Sequence, residues 1–193
     1  MKNNCFRKSN QMISELSFGC SGYWGLPIFK YKSAEQLVVT AAEQGITLFD
    51  TGPKYSMGNA ETRLGKIIKN NKIMTNVKIA TKVGATLLNN GNWIRDFSYT
   101  GIINSVKKSL IKLNVDHLFL LQLHTPNIKD FNSCEIEDAL NQLKSNGLIL
   151  NAGASADGET AKYLATQNFI DSIMITYNPI TKNSLDTIKL AYQ

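Results

Sequence analysis

The chain has 193 residues, of which 43% are apolar and 19% are charged, as in one globular domain, which we place at residues 1–193. No apolar run reaches the ~20 residues of a membrane-spanning helix and no leader pattern is present, so we expect a cytoplasmic protein with no membrane partner. The net charge of +6 comes from dispersed lysines, so we expect no nucleic-acid partner, and three cysteines without paired spacing indicate neither disulfides nor a metal site.

Strand and helix patterns alternate along the chain. The strand signal is a near-continuous apolar run, which is typical of parallel strands buried on both faces. It recurs at residues 16–19, 46–49, 77–81, 118–123, 148–152 and 172–176. Helical periodicity predicts helices at residues 60–69, 101–113, 135–146, 159–166 and 182–193. A further helix precedes the second strand: Ser33 and Gln36 form a capping-box pattern at its start, and Gly45 marks its end.

Six βα units in this order predict an α/β fold of the (β/α)8 barrel type. A complete barrel has eight units and typically ~250 residues. We therefore expect an incomplete barrel that is truncated at its C-terminus and lacks the last two units. Such a sheet would leave its first and sixth strands unpaired at the edges, which favours self-association through those edges.

Three polar residues stand where apolar strands end. Asp50 follows the second strand, Lys82 the third and His124 the fourth. Tyr55 lies in the Gly- and Pro-containing loop after Asp50. Because the carboxyl ends of barrel strands meet on one rim, where such folds carry out their chemistry, we expect these four side chains to lie together. Such a group can protonate a carbonyl oxygen.

Each of the four residues also has a structural interpretation. A lone tyrosine in a loop usually packs against its neighbours, and a lone lysine at a strand end usually extends its stem toward water. A lone histidine after an apolar strand is more often structural, and an aspartate there commonly caps the next turn. The joint placement of the four favours the chemical interpretation.

These residues lie in motifs that resemble those of a known family, the aldo-keto reductases. The matching segments are 49–55, 59–65, Thr81-Lys82, Leu123-His124, 153–155 and 177–179. They occur in the family's order, and the resemblance runs from about Leu16 onward. It implies an NADPH-dependent reduction of an aldehyde or a ketone, a small-molecule substrate, on a (β/α)8 barrel.

The resemblance also implies a role for each of the four side chains. Tyr55 would be the proton donor. A phenol is a weak acid with a pKa of about 10, and the ammonium group of Lys82 would favour its phenolate. Asp50 would pair with Lys82 and border the cofactor, and His124 would hydrogen-bond the carbonyl oxygen.

Two aromatic residues, Tyr23 and Trp24, lie in the loop after the first strand. In one interpretation they pack against the barrel, as aromatic residues in loops usually do. In the other they form an aromatic wall of the substrate pocket, because a loop on this rim faces the site. The sequence favours neither interpretation.

The expected cofactor site departs from the family pattern. Ser155 matches a serine that helps to hold the nicotinamide in relatives, but Ala156 replaces its partner asparagine and Met174 replaces a glutamine. Neither residue supplies an amide group. Relatives bind the rest of NADPH through segments that would lie beyond Gln193, and no GxGxxG fingerprint substitutes for them. We therefore expect NADPH binding to be weak or absent.

The alternatives to a reductase are a non-catalytic or regulatory relative and, with less support, another barrel enzyme that works without nicotinamide.

Overall fold

A computed structural model describes residues 1–6, 9–73, 75, 77–87, 90–180 and 182–192. Within these residues the strands are β1 (Asn3–Phe6), β2 (Gln11–Ser14), β3 (Ser17–Gly19), β4 (Leu48–Asp50), β5 (Lys78–Val83), β6 (Ala85–Leu87), β7 (Trp93–Arg95), β8 (Leu118–His124), β9 (Ile149–Ser155) and β10 (Ser172–Met174). The helices are α1 (Tyr31–Glu43), α2 (Ala60–Asn71), α3 (Tyr99–Leu113), α4 (Glu135–Ser145), α5 (Gly158–Ala165) and α6 (Leu185–Ala191).

The main sheet is parallel and its strands lie in chain order, β3-β4-β5-β8-β9-β10, among the described residues. Each neighbouring pair is parallel, and an α-helix lies between consecutive strands in the chain. The prediction of six consecutive βα units is therefore confirmed. Because the carboxyl ends of all six strands point the same way, the loops that follow them share one rim.

The first helix begins earlier than its sequence pattern predicts. Its N-cap is Lys30, which makes no side-chain cap hydrogen bond, and Ser33 lies within the first turn. The capping-box prediction was therefore wrong, because Ser33 is already helical and its own backbone is not at the cap. The predicted end is confirmed. Gly45 has φ 86°, a conformation that a residue with a Cβ adopts less readily, and its N–H donates to the carbonyl of Ala42.

The main core lies between the sheet and the helices. Outward-facing strand residues such as Phe49, Leu121 and Leu123 are fully buried against apolar helix residues such as Leu64 and Val106. Burial of side chains of this size contributes about 1.5–3 kcal/mol each before entropic costs. This layer fixes the strands in place and thereby fixes the rim.

The two hairpins that complete the described chain have no counterpart in the sequence prediction. The β1–β2 hairpin packs Phe6 edge-on against Phe119 of β8, with 5.3 Å between the ring centroids. The β6–β7 hairpin follows β5 directly and precedes α3. No helix in the described part of the chain combines the length and apolarity needed to cross a membrane.

Candidate active site

The centre of the site is an ion pair between neighbouring strands. Lys82 of β5 is fully buried, and its ammonium nitrogen Nζ lies 2.7 and 2.6 Å from the two carboxylate oxygens of Asp50 at the end of β4. The same nitrogen donates to the backbone carbonyl of Thr51 at 2.9 Å. Since a buried charge is costly unless it is paired and hydrogen-bonded, these acceptors are what allow a lysine to occupy this position.

Gln122 of β8 is a further member of the site that the sequence analysis did not single out. It is buried, and its Nε2 donates to Oδ1 of Asp50 at 2.8 Å. A signal for it exists in the sequence: Gln122 is a polar residue inside an apolar strand and stands two positions before His124. Residues two apart in a strand project from the same face. The pattern therefore places Gln122 on the side of the sheet that carries the site.

Tyr55 and His124 border the ion pair. The Nζ atom of Lys82 lies 4.7 Å from the centroid of the Tyr55 ring. The rings of Tyr55 and His124 meet edge to face with 5.9 Å between their centroids. Among the described residues, no side chain hydrogen-bonds the Tyr55 hydroxyl. The structure thus brings together all four residues predicted to be catalytic.

The loop that carries Tyr55 is held by its neighbour Ser56. The Ser56 hydroxyl donates to the carbonyl of Gly22 at 2.8 Å and accepts from the N–H of Gly25 at 2.9 Å. Ser56 and Met57 both adopt left-handed backbone conformations, with φ 53° and 57°, which are unfavourable for residues other than glycine. The hydrogen bonds of Ser56 offset part of this strain and hold the loop that carries Tyr55 against the segment at Gly22 and Gly25.

The charged residues of segment 59–65 stabilise the same region from outside the sheet. Arg63 donates to the carbonyls of Trp24 at 2.6 Å and Phe29 at 2.9 Å, and so anchors the loop after β3. Glu61 is buried and accepts from the Thr81 hydroxyl at 2.7 Å, next to Lys82 in the chain. Both residues therefore connect α2 to a segment that carries the site.

The structure separates the two residues predicted to line a substrate pocket. Trp24 is only 7% exposed and packs in the main core, whereas Tyr23 is 76% exposed. Neither is among the described residues that line the cavity beside His124. Their role in a substrate pocket stays a prediction, and the burial of Trp24 matches the packing interpretation for that residue.

His124 is held in its neutral form by its surroundings. Partial burial lowers the pKa of its imidazole below the ordinary value of 6.5, and the positive charges of Lys82 and Lys54 lower the pKa further, against an opposing effect of Asp50. At neutral pH the ring therefore has one N–H to donate and one nitrogen that accepts. A neutral imidazole N–H suits hydrogen bonding to a carbonyl oxygen.

The residues predicted to contact a cofactor, Ser155 and its neighbours, lie at the ends of β9 and β10. Ser155 ends β9 and is the register partner of His124, so it lies on the same rim. The N–H of Ala156 donates to the carbonyl of Met174 at 3.1 Å, and the Met174 side chain is 40% exposed. Ser155 therefore offers a hydroxyl on this rim, whereas the side chains of Ala156 and Met174 offer no hydrogen bonds.

Comparison with known proteins identifies relatives over most of the chain. A model described as "Aldo/keto reductase family" matches residues 17–191. The uncharacterized oxidoreductase YqkF of Bacillus subtilis (strain 168) is 33% identical over 169 residues, which cover 86% of this chain and 53% of YqkF. The NADH-specific methylglyoxal reductase of Escherichia coli (strain K12) is 27% identical over 182 residues, which cover 86% of this chain and 56% of that protein. The chain thus spans about half the length of these relatives.

Solved structures agree with the architecture. The aldo-keto reductase AKR11C1 from Bacillus halodurans, in its holo form, superposes with a TM-score of 0.79 at 33% identity, over 92% of this chain and 58% of that one. The glycerol dehydrogenase AKR11B4 from Gluconobacter oxydans has a TM-score of 0.80 at 22% identity, over 95% of this chain and 57% of that one, and shows the fold alone. The predicted fold class, an incomplete (β/α)8 barrel with six βα units, is confirmed.

Proposed function

This chain belongs to the aldo-keto reductase family, and from that premise we propose that it reduces an aldehyde or a ketone with NADPH, with Tyr55 as the proton donor. The observation that carries the proposal is the position of the Lys82 ammonium, 4.7 Å from the centroid of the Tyr55 ring while Asp50 holds it in place. NADPH, when bound, supplies the hydride that reduces the carbonyl carbon.

The residues of this chain supply the proton and the orientation. The Tyr55 hydroxyl donates its proton to the carbonyl oxygen, and the nearby positive charge of Lys82 stabilises the phenolate that remains. The neutral imidazole of His124 donates a hydrogen bond to the same oxygen, and so orients it and shares the negative charge that develops there. Asp50, fixed by Gln122, keeps the Lys82 ammonium from moving toward water.

A second candidate function is that of a non-catalytic or regulatory relative that does not hold the cofactor. The side chains of Ala156 and Met174 favour it, because they lack the amide groups with which relatives bind the nicotinamide. We expect Ser155 and the Asp50 rim to bind NADPH weakly at best. A fluorescence titration with NADPH separates the two candidates: saturable binding, even if weak, excludes the second, and no binding excludes the first.

The catalytic role is tested by substitution at the proton donor. Tyr55→Phe should lower kcat for aldehyde reduction by at least ~100-fold, the usual contribution of a general acid. Lys82→Met should cause a comparable loss, because it removes the charge that stabilises the phenolate. Tyr192→Phe, which changes an exposed tyrosine after α6, is the matched control and should leave kcat unchanged. Aldehyde reduction by Tyr55→Phe at the parent rate would remove Tyr55 from the mechanism.

A further inference from the structure

An open cavity of about 240 Å³ lies directly beside His124. The loop before Tyr55 forms one side of it and the β6–β7 hairpin forms the other. Its lining includes Lys54, Ala85, Trp93, Arg95, His124 and Thr125. Because His124 is part of the wall, the cavity has room for the remaining atoms of a molecule whose carbonyl oxygen meets this imidazole. The volume is below the ~300–1,000 Å³ of pockets for drug-sized ligands, so it suits a short molecule.

The charged side chains that line this cavity, as far as the structure describes it, are cations. Lys54 and Arg95 contribute positive charge, and neither Asp nor Glu is among the described lining residues. Arg95 is already engaged: its guanidinium pairs with the carboxylate of Asp130 and donates to the carbonyl of Thr125 at 2.9 Å. These contacts offset its charge and hold it at the wall of the cavity.

The ammonium group of Lys54 has no carboxylate partner among the described residues. The nearby Asp50 is taken by Lys82. The Lys54 ammonium instead lies 5.7 Å from the centroid of the Trp93 ring, a cation–π contact that holds it over the cavity wall. Its field also reaches His124, since it contributes to the lowered pKa of that imidazole.

We propose that the substrate is a short aldehyde or ketone that carries an anionic group, a carboxylate or a phosphate, and that Lys54 and Arg95 bind this group while the carbonyl oxygen lies at His124. The inference rests on the proposed function and names its substrate class. The rings and methyl groups of Trp93 and Ala85 provide apolar contact for the carbon chain between the two ends. The anion completes the charge balance of a cavity that otherwise has one cation in excess.

The test compares aldehydes that differ in charge. The probes are succinic semialdehyde against butanal, and glyceraldehyde 3-phosphate against glyceraldehyde. In the parent chain, kcat/KM should be higher for the anionic member of at least one pair, and the pair that responds identifies carboxylate or phosphate. Lys54→Met should lower the anionic-to-neutral ratio of kcat/KM by about fivefold, the size expected for one partly solvated charge pair. Lys54→Arg should restore it, and Lys107→Met, on the exposed face of α3, should leave it unchanged.

A binding measurement keeps this test independent of turnover. Both anionic probes and their neutral counterparts, butanal and glyceraldehyde, are each titrated against the tryptophan fluorescence of the chain, since Trp93 lies in the cavity wall. Saturable quenching by an anionic probe, with an affinity that falls about fivefold in Lys54→Met, supports the proposal even if no aldehyde is reduced. The absence of aldehyde reduction would refute only the proposed function. The proposal is overturned if charged and neutral probes give equal quenching or equal kcat/KM. It is also overturned if Lys54→Met leaves the anionic-to-neutral ratio of kcat/KM unchanged.

Discussion

Replacing Lys82 with methionine should lower the free energy of unfolding, by an amount set by how well the Asp50 carboxylate is solvated once its partner is gone. Methionine matches the length of the lysine stem but removes the charge, so Asp50 loses its ion-pair partner. The carboxylate keeps the hydrogen bond from Gln122 and is 18% exposed, which leaves it partly solvated. Since breaking a buried pair typically costs 3–5 kcal/mol, we expect a loss near the lower limit, about 3 kcal/mol.

The companion substitution isolates the pair. Asp50→Asn alone leaves the buried ammonium with the Thr51 carbonyl and a neutral amide, and should cost about as much as Lys82→Met. The double variant has no uncompensated charge. Its loss of unfolding free energy should therefore be smaller than the sum of the losses in the two single variants. The difference, which is the coupling free energy of the pair, should be about 2–3 kcal/mol.

Urea unfolding followed by circular dichroism measures these free energies. With a slope of about 3 kcal/mol per molar urea, Lys82→Met should lower the midpoint by about 1 M. Lys162→Met removes an exposed ion pair with Glu159 and is the matched control, with no measurable shift expected. If the losses of Lys82→Met and Asp50→Asn simply add in the double variant, the two groups do not stabilise each other and the assigned role of Asp50 is wrong.

Two further predictions concern pH and association. Because the pKa of His124 is lower in the folded chain than in the unfolded one, the unfolded state binds the proton first, and the free energy of unfolding should fall as pH drops below about 6.5. His124→Gln should remove this component in urea titrations at several pH values, and His117→Gln should keep it. The edge strands Ser17–Gly19 and Ser172–Met174 each have one neighbour among the described strands, so we propose that the chain self-associates through them. Light scattering should show species larger than one chain, and a monodisperse monomer would contradict this.

The strands and the four central side chains were predictable because both follow from simple rules. Buried parallel strands are largely apolar, so a polar residue after an apolar run indicates that the end of the strand is near. In the structure Asp50 and His124 end β4 and β8, and Lys82 lies one residue before the end of β5, so the common direction of the strands brings the three together. The rule needs no knowledge of side-chain packing.

The remaining features depend on contacts that the sequence does not display. The strands of the two hairpins have three or four residues each, too few to show a period. The partner of Gln122 lies 72 positions away in the chain. The left-handed conformation of Ser56 is set by its hydrogen bonds to the loop at Gly22 and Gly25, although glycine is the residue expected at such a position.

Strand pairing supports both halves of the site alike. Asp50, Lys82 and Gln122 lie on β4, β5 and β8, and Ser155 lies on β9; each of these strands has a described strand on both sides. Ser155 is paired in register with His124 of β8 and with Met174 of β10. The two halves differ instead in their side chains, because the Asp50–Lys82 pair is complete whereas Ala156 and Met174 offer no amide group. A loss of NADPH affinity with an intact Asp50–Lys82 pair is therefore the outcome that these side chains favour, and the NADPH titration together with the unfolding cycle measures the two halves separately.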